Sequence, residues 1–84
     1  MATVEEFEAA KQRVEGLTRR PSNEDLLSLY GLYKQATAGD ATGKKPGRLD
    51  IKGRAKFEAW ERRRGLSADD ARSQYVALVD RLAS

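Results

Sequence analysis

SNEDLLSLYGLYKQATAG, residues 22–39, reads as a helix with more than one face to cover. Ser22 offers a side-chain oxygen to the first turn, and Glu24 and Asp25 place negative charge where the helix dipole favours it. Leu26, Leu27, Leu29, Tyr30, Leu32 and Tyr33 then wrap wider than the single apolar stripe of a surface helix. A helix over about 23–38 with that pattern must touch two neighbours, and Gly39 closes it.

Toward the N-terminus, Thr3 with Glu6 forms a capping box, and Phe7, Ala10, Val14 and Leu17 recur at helical spacing, predicting a helix from about Val4 to Glu15. Gly16 is expected in the left-handed closing position, and Thr18 to Pro21 reads as a loop because the residue before a proline resists helix. Toward the C-terminus, Asp40 to Leu49 carries Gly43, Pro46 and Gly47, the turn-former density of a long loop. Asp50 caps a third helix expected to run to about Arg64, with Gly65 ending it. Ser67 and Asp70 open a fourth, in which Ala71, Tyr75, Leu78 and Leu82 repeat at helical spacing. Nothing alternates with period two, so the expectation is all-α: a four-helix bundle forming a single domain over 1–84.

The chain of 84 residues is 39% hydrophobic and contains neither cysteine nor histidine. Thiolate and imidazole metal ligands are therefore absent, and so is every Ser-His or Cys-His nucleophile arrangement. No catalytic group and no metal site is expected. The longest strictly apolar stretch, Tyr75 to Val79, is far below the roughly 20 residues of a membrane span, and no basic segment followed by an apolar one opens the chain. Neither membrane insertion nor secretion is expected, and the absence of cysteine suits the cytoplasm.

The formal charge of +3 conceals a polarity. Residues 44–64 hold nine Lys and Arg against three Asp and Glu, a local +6, so the other 63 residues carry −3. A clustered cationic segment beside aromatics is the footprint of a phosphate-bearing partner, although the same pattern describes a solvated helix face. Tyr30, Tyr33 and Lys34 share one side of the second helix, suited to stacking a base and pairing a phosphate, or equally to a core with hydroxyls at its rim. Tyr75 on the fourth helix poses the same question. Lys52 and Lys56, one turn apart near the start of the third helix, repel unless something anionic lies between them, and a phosphate there would also meet the helix dipole. Phe57 and Trp60 share the other edge, Trp60 as the largest core anchor.

Two blocks, Tyr30-Gly31-Leu32-Tyr33-Lys34-Gln35-Ala36-Thr37 through Gly39-Asp40, and Pro46-Gly47-Arg48-Leu49-Asp50-Ile51-Lys52-Gly53-Arg54-Ala55-Lys56-Phe57-Glu58-Ala59-Trp60, resemble the acyl-CoA-binding protein family in order and spacing. The likeness runs without visible insertion from Phe7 to Val79. It implies a bundle in up-down-down-up order that carries long-chain fatty acyl-CoA thioesters and performs no chemistry on them. It further implies that Tyr30, Tyr33 and Lys34 meet the adenosine and its 3′-phosphate, that Lys56 pairs with phosphate, and that Lys52 and Tyr75 complete the headgroup site. Ala10, Leu26 and Leu27 fall where the acyl groove is expected. The family's pattern implies a monomer, no cofactor beyond the ligand, and acyl-CoA-using enzymes as transient partners. Glu15 departs from it by standing where a lysine is common, with Arg13, Arg19 and Arg20 as candidates to offset the reversal. Phe57 replaces a frequent tryptophan.

Such a ligand suits the physics. Its 3′-phosphate carries about −1.5 to −2 charge, and a dozen methylenes, at about 0.8 kcal/mol each, supply of order 10 kcal/mol before association costs. The alternative is a small basic helical module that binds nucleic acid through residues 44–64; a protein-binding adaptor is a third reading.

Overall fold

Each helix begins where a short polar side chain satisfies its first turn. A computed structural model describes residues 2–84 and contains helices α1 (Val4–Glu15), α2 (Asn23–Ala38), α3 (Ile51–Glu61) and α4 (Ala68–Ala83). Thr3 and Glu6 close the reciprocal capping box on α1. The Ser22 hydroxyl accepts from the Asp25 amide at 3.1 Å, the Asp50 carboxylate from Gly53 at 3.0 Å, and the Ser67 hydroxyl from Asp70 at 3.0 Å. Such caps act within one turn, which makes them legible before any tertiary contact exists.

Two expectations are corrected at helix ends. Helix α3 stops at Glu61, not Arg64: the amides of Arg63 and Arg64 bond three residues back, to Trp60 at 2.9 Å and Glu61 at 3.1 Å, and Gly65 turns at φ 87°. The tightened turn lets Arg64 donate to the Ala41 carbonyl at 3.0 Å. Gly16 sits at φ −96°, outside the left-handed region, because its amide and that of Leu17 also close tight turns, onto Arg13 and Val14.

The long-range contacts set the directions. The Ala2 amide donates to Ser73, and Arg13 pairs with Asp80, so α1 and α4 run the same way. Asp25 meets Arg81 while Gln35 meets Leu66, so α2 runs against α4. The end of α2 lies at the end of α3, where the Trp60 indole donates to the Gly39 carbonyl at 2.7 Å. The order is up-down-down-up. Helix α4 packs on α1 and α2, and α2 also packs on α3, the two-sided burial that its wide apolar surface predicts. Phe7, Ala10, Leu29, Leu32, Tyr75 and Val79 form the core.

Helix α2 crosses α3 at Gly31. A β-carbon there would stand 2.8 Å from the Ala59 carbonyl carbon and 3.2 Å from the Trp60 nitrogen, both rigid backbone atoms. Glycine in a helix interior weakens it by roughly 0.5–1 kcal/mol relative to alanine, so its use here marks a crossing that no side chain fits.

The long loop is fastened rather than loose. Gln35, buried on α2, donates from Nε2 to both Asp40 Oδ1 and the Leu66 carbonyl at 2.8 Å, and Asp40 Oδ1 also accepts from the Gly65 amide at 2.8 Å. Arg54 donates to the Pro46 carbonyl at 3.3 Å, and Lys45 pairs with Glu58 at 2.9 Å. These bonds hold residues 39–46 against α3.

Two outcomes follow. Gly31→Ala gains about 1 kcal/mol of helix propensity but forces α2 and α3 apart, for a net loss of about 1–3 kcal/mol measured by urea unfolding. The Gly65 amide, then the Gln35 side chain, hold the Asp40 carboxyl below its ordinary range. Its contribution is therefore complete above about pH 4 and is lost as pH falls through the depressed native value. Asp40→Asn is expected to lower the melting temperature at pH 7 and to flatten its decline below pH 4, read by circular dichroism.

Candidate ligand-binding site

The crossing at Gly31 leaves a cleft beside it. Tyr30 and Lys34, one turn apart on α2, face Lys56, Phe57 and Trp60 on α3, and the fastened loop adds Thr42, Lys44 and Pro46 as a wall. The cleft holds about 370 Å³. The Lys34 ammonium lies 4.8 Å from the centre of the Trp60 ring, and that of Lys56 lies 5.4 Å from the centre of Tyr30. Among the described residues neither ammonium has a carboxylate within ion-pair distance. The acids of α3 are occupied elsewhere: Glu58 pairs with Lys45 and Arg54, and Glu61 with Lys45. The Lys45 hydrogen bond and charge hold the Glu58 carboxyl below its ordinary range. A cation over an exposed ring gains only about 0.5–1 kcal/mol, less than a charge-assisted bond to phosphate at about 1.5–3 kcal/mol. Lys34 and Lys56 are thus held in place yet free to turn to an anion.

Tyr33 does not share the side of Tyr30 and Lys34, contrary to the expectation from spacing: consecutive helical residues diverge by about 100°, and Tyr33 joins a second aromatic group on the other side of α2. Tyr33 stacks on Phe7 at 5.8 Å, and Tyr75 meets Phe7 edge-on at 5.0 Å and Tyr33 at 6.4 Å. Tyr75 is only 4% exposed, and burial raises its phenol pKa, with Lys11 opposing. It packs as a neutral ring within the α1, α2 and α4 core. Lys11 donates to the Tyr33 hydroxyl at 3.1 Å with its ammonium 4.7 Å from the ring centre, and that hydrogen bond raises the Lys11 pKa. Sequence reasoning missed Lys11. Its signal was a cation one turn after Phe7, on the edge of the apolar stripe.

The remaining expected residues are dispersed. Lys52 is exposed on the first turn of α3 and does not line the cleft. Leu27 lines a separate depression of about 230 Å³ with Glu24, Ser28, Ala59, Arg62 and Arg63, and Leu26 is half-buried. Ala10 is 1% exposed, inside the core. Arg13 is engaged with Asp80 at 2.6 Å, which removes it as the offset to Glu15.

A helical bundle whose cleft is walled by aromatic rings and unneutralised ammonium groups is a binding protein for anionic ligands. The sequence model described as Acyl CoA binding protein matches residues 4–79. The chain is 46% identical over 80 residues to an acyl-CoA-binding protein homolog of Drosophila melanogaster, covering 95% of this chain and 93% of that protein. It is 51% identical over 76 residues to acyl-CoA-binding protein homolog 1 of Caenorhabditis elegans, covering 90% and 88%. The crystal structure of Oryza sativa acyl-CoA-binding protein 2 superposes with a TM-score of 0.88 at 44% identity, covering 93% of this chain and 87% of that one. The chain belongs to the acyl-CoA-binding protein family.

The chain's single tryptophan reports on the cleft. Lys34→Met is expected to change Trp60 fluorescence in a sample whose helical circular dichroism is intact, whereas Lys52→Met leaves the emission as it was.

Proposed function

We propose that the protein binds long-chain fatty acyl-CoA thioesters and carries them in the cytoplasm, pooling them for transient delivery to acyl-CoA-using enzymes without acting on them. The observation that carries this reading is the pair of unneutralised lysines, Lys34 and Lys56, held over Trp60 and Tyr30 in a chain of this family. The phosphates of the headgroup draw both ammonium groups off the rings, which frees aromatic faces for the adenine. Tyr33 and Tyr75, grouped across α2 from the cleft with the Lys11 ammonium on Tyr33, are assigned in this reading to the headgroup from the α1 and α4 side. Lys52 approaches from the first turn of α3.

Leu26 and Leu27 give the acyl tail an apolar track along α2, and Ala10, from within the core, keeps α1 close without filling the space. The tail supplies affinity through methylene burial, and the headgroup supplies specificity through charge. With neither histidine nor cysteine the chain offers no activated nucleophile, in keeping with carriage rather than hydrolysis. One domain over 1–84, working as a monomer, is sufficient for this role. The nucleic-acid reading is not supported, since the family and its matched relatives are acyl-CoA-binding proteins.

Calorimetric titration with free CoA, a short and a long acyl-CoA, and the matching fatty acid tests the reading. Tight one-to-one binding of the long thioester, with CoA and fatty acid each far weaker, is expected. Lys34→Ala and Lys56→Ala should weaken all CoA species by a common factor of roughly ten to a hundred, and Leu27→Asp should penalise long tails far more than free CoA. A folded sample that binds no CoA species overturns the proposal.

A further inference from the structure

The most exposed apolar side chains of the described chain stand together. Leu49 is 99% exposed and Ile51 76%, on either side of Asp50, where the long loop enters α3. Arg48 and Lys52, their neighbours along the chain, are exposed, and neither has a carboxylate partner among the described residues. The one acid at the tip, Asp50, is turned back onto the helix start, its Oδ1 accepting from the Gly53 amide at 3.0 Å. The Asp50 amide in turn donates to the Gly47 carbonyl at 3.1 Å, and Arg54 holds Pro46, so the tip has a preformed shape.

We infer that this tip is a docking point for an anionic lipid surface. Two bare aliphatic side chains flanked by cations match the boundary of a bilayer: the apolar groups enter below the headgroups while the ammonium and guanidinium groups stay among the lipid phosphates and carboxylates. A protein partner fits less well, because two side chains fall far below the roughly 800 Å² per partner of a specific interface. The contact is peripheral, since no helix is long and apolar enough to cross a membrane. It is also weak and reversible, as expected of so few inserted groups.

Location adds a consequence that rests on the acyl-CoA reading. Lys44, Pro46, Gly53 and Lys56, on the same loop and helix, line the cleft, so docking brings the cleft to the lipid surface where an acyl-CoA resides. The docking itself does not depend on that reading, and its test requires no ligand.

The full chain is sedimented with vesicles of phosphatidylcholine alone and of phosphatidylcholine with one third phosphatidylserine, at low and at high salt. Binding to the mixed vesicles, much reduced without phosphatidylserine or at high salt, is expected. The double variant Leu49→Ser, Ile51→Ser should lose roughly tenfold or more in vesicle affinity while keeping its melting temperature and its long-chain acyl-CoA titration, and Arg48→Gln should weaken binding to mixed vesicles alone. No sedimentation with mixed vesicles, or unchanged sedimentation of the double variant, overturns the inference and leaves the titration result standing. A double variant that keeps its vesicle affinity but loses affinity for long tails also overturns it, and assigns the two side chains to the ligand.

Discussion

The backbone crossing of α2 over α3 at Gly31 and Ala59 governs the rest of the molecule. Tyr30 and Lys34 lie on one helix and Lys56, Phe57 and Trp60 on the other, so the separation of the helices is the width of the cleft. Only a residue without a β-carbon lets the two backbones meet there, and the contact falls within the turn that carries Tyr30 and Tyr33. Helix stability is given up locally in exchange for a geometry on which the five side chains of the cleft depend.

A second constraint keeps the wall of that cleft upright. Loops with this density of glycine and proline ordinarily hold their positions poorly, yet here Gly39, Asp40, Ala41 and Pro46 are each hydrogen-bonded to side or main chain outside the loop. Gln35 is the hub: a buried amide that ties the end of α2 to both Asp40 and the α3–α4 turn. Its Nε2 is partnered across three segments, which fixes how those segments sit, whereas its buried Oε1 has no partner among the described residues.

Electrostatics divides the cations by task. Lys45, Arg54, Arg13, Arg72 and Arg81 are spent on carboxylates and serve the fold. Lys11, Lys34 and Lys56 rest on aromatic rings, which orient them without neutralising them. The +6 of residues 44–64 is thus not uniform: part is cancelled along the α3 acids, and the remainder is displayed at the cleft and at the tip beside Leu49 and Ile51.

The four helices were legible in the sequence because their signals are local: Thr3, Ser22, Asp50 and Ser67 each act on an amide three residues ahead, and the apolar spacing of α1 and α4 needs no partner to be read. The charge polarity and the motif blocks around Tyr30 and Lys56 were likewise legible, being properties of order along the chain. Position in space was not. That Gly31 is a crossing point, that Arg13 belongs to Asp80, that Lys11 rests on Tyr33 and that α3 yields its last turn to Arg64 and Ala41 are all contacts between residues 22 or more apart in the chain. Periodicity assigned a face to each residue, but the packing of α2 between α3 and α4 decided which neighbour that face would meet. Such contacts are made only when the chain closes on itself, and no pattern within a single helix encodes them.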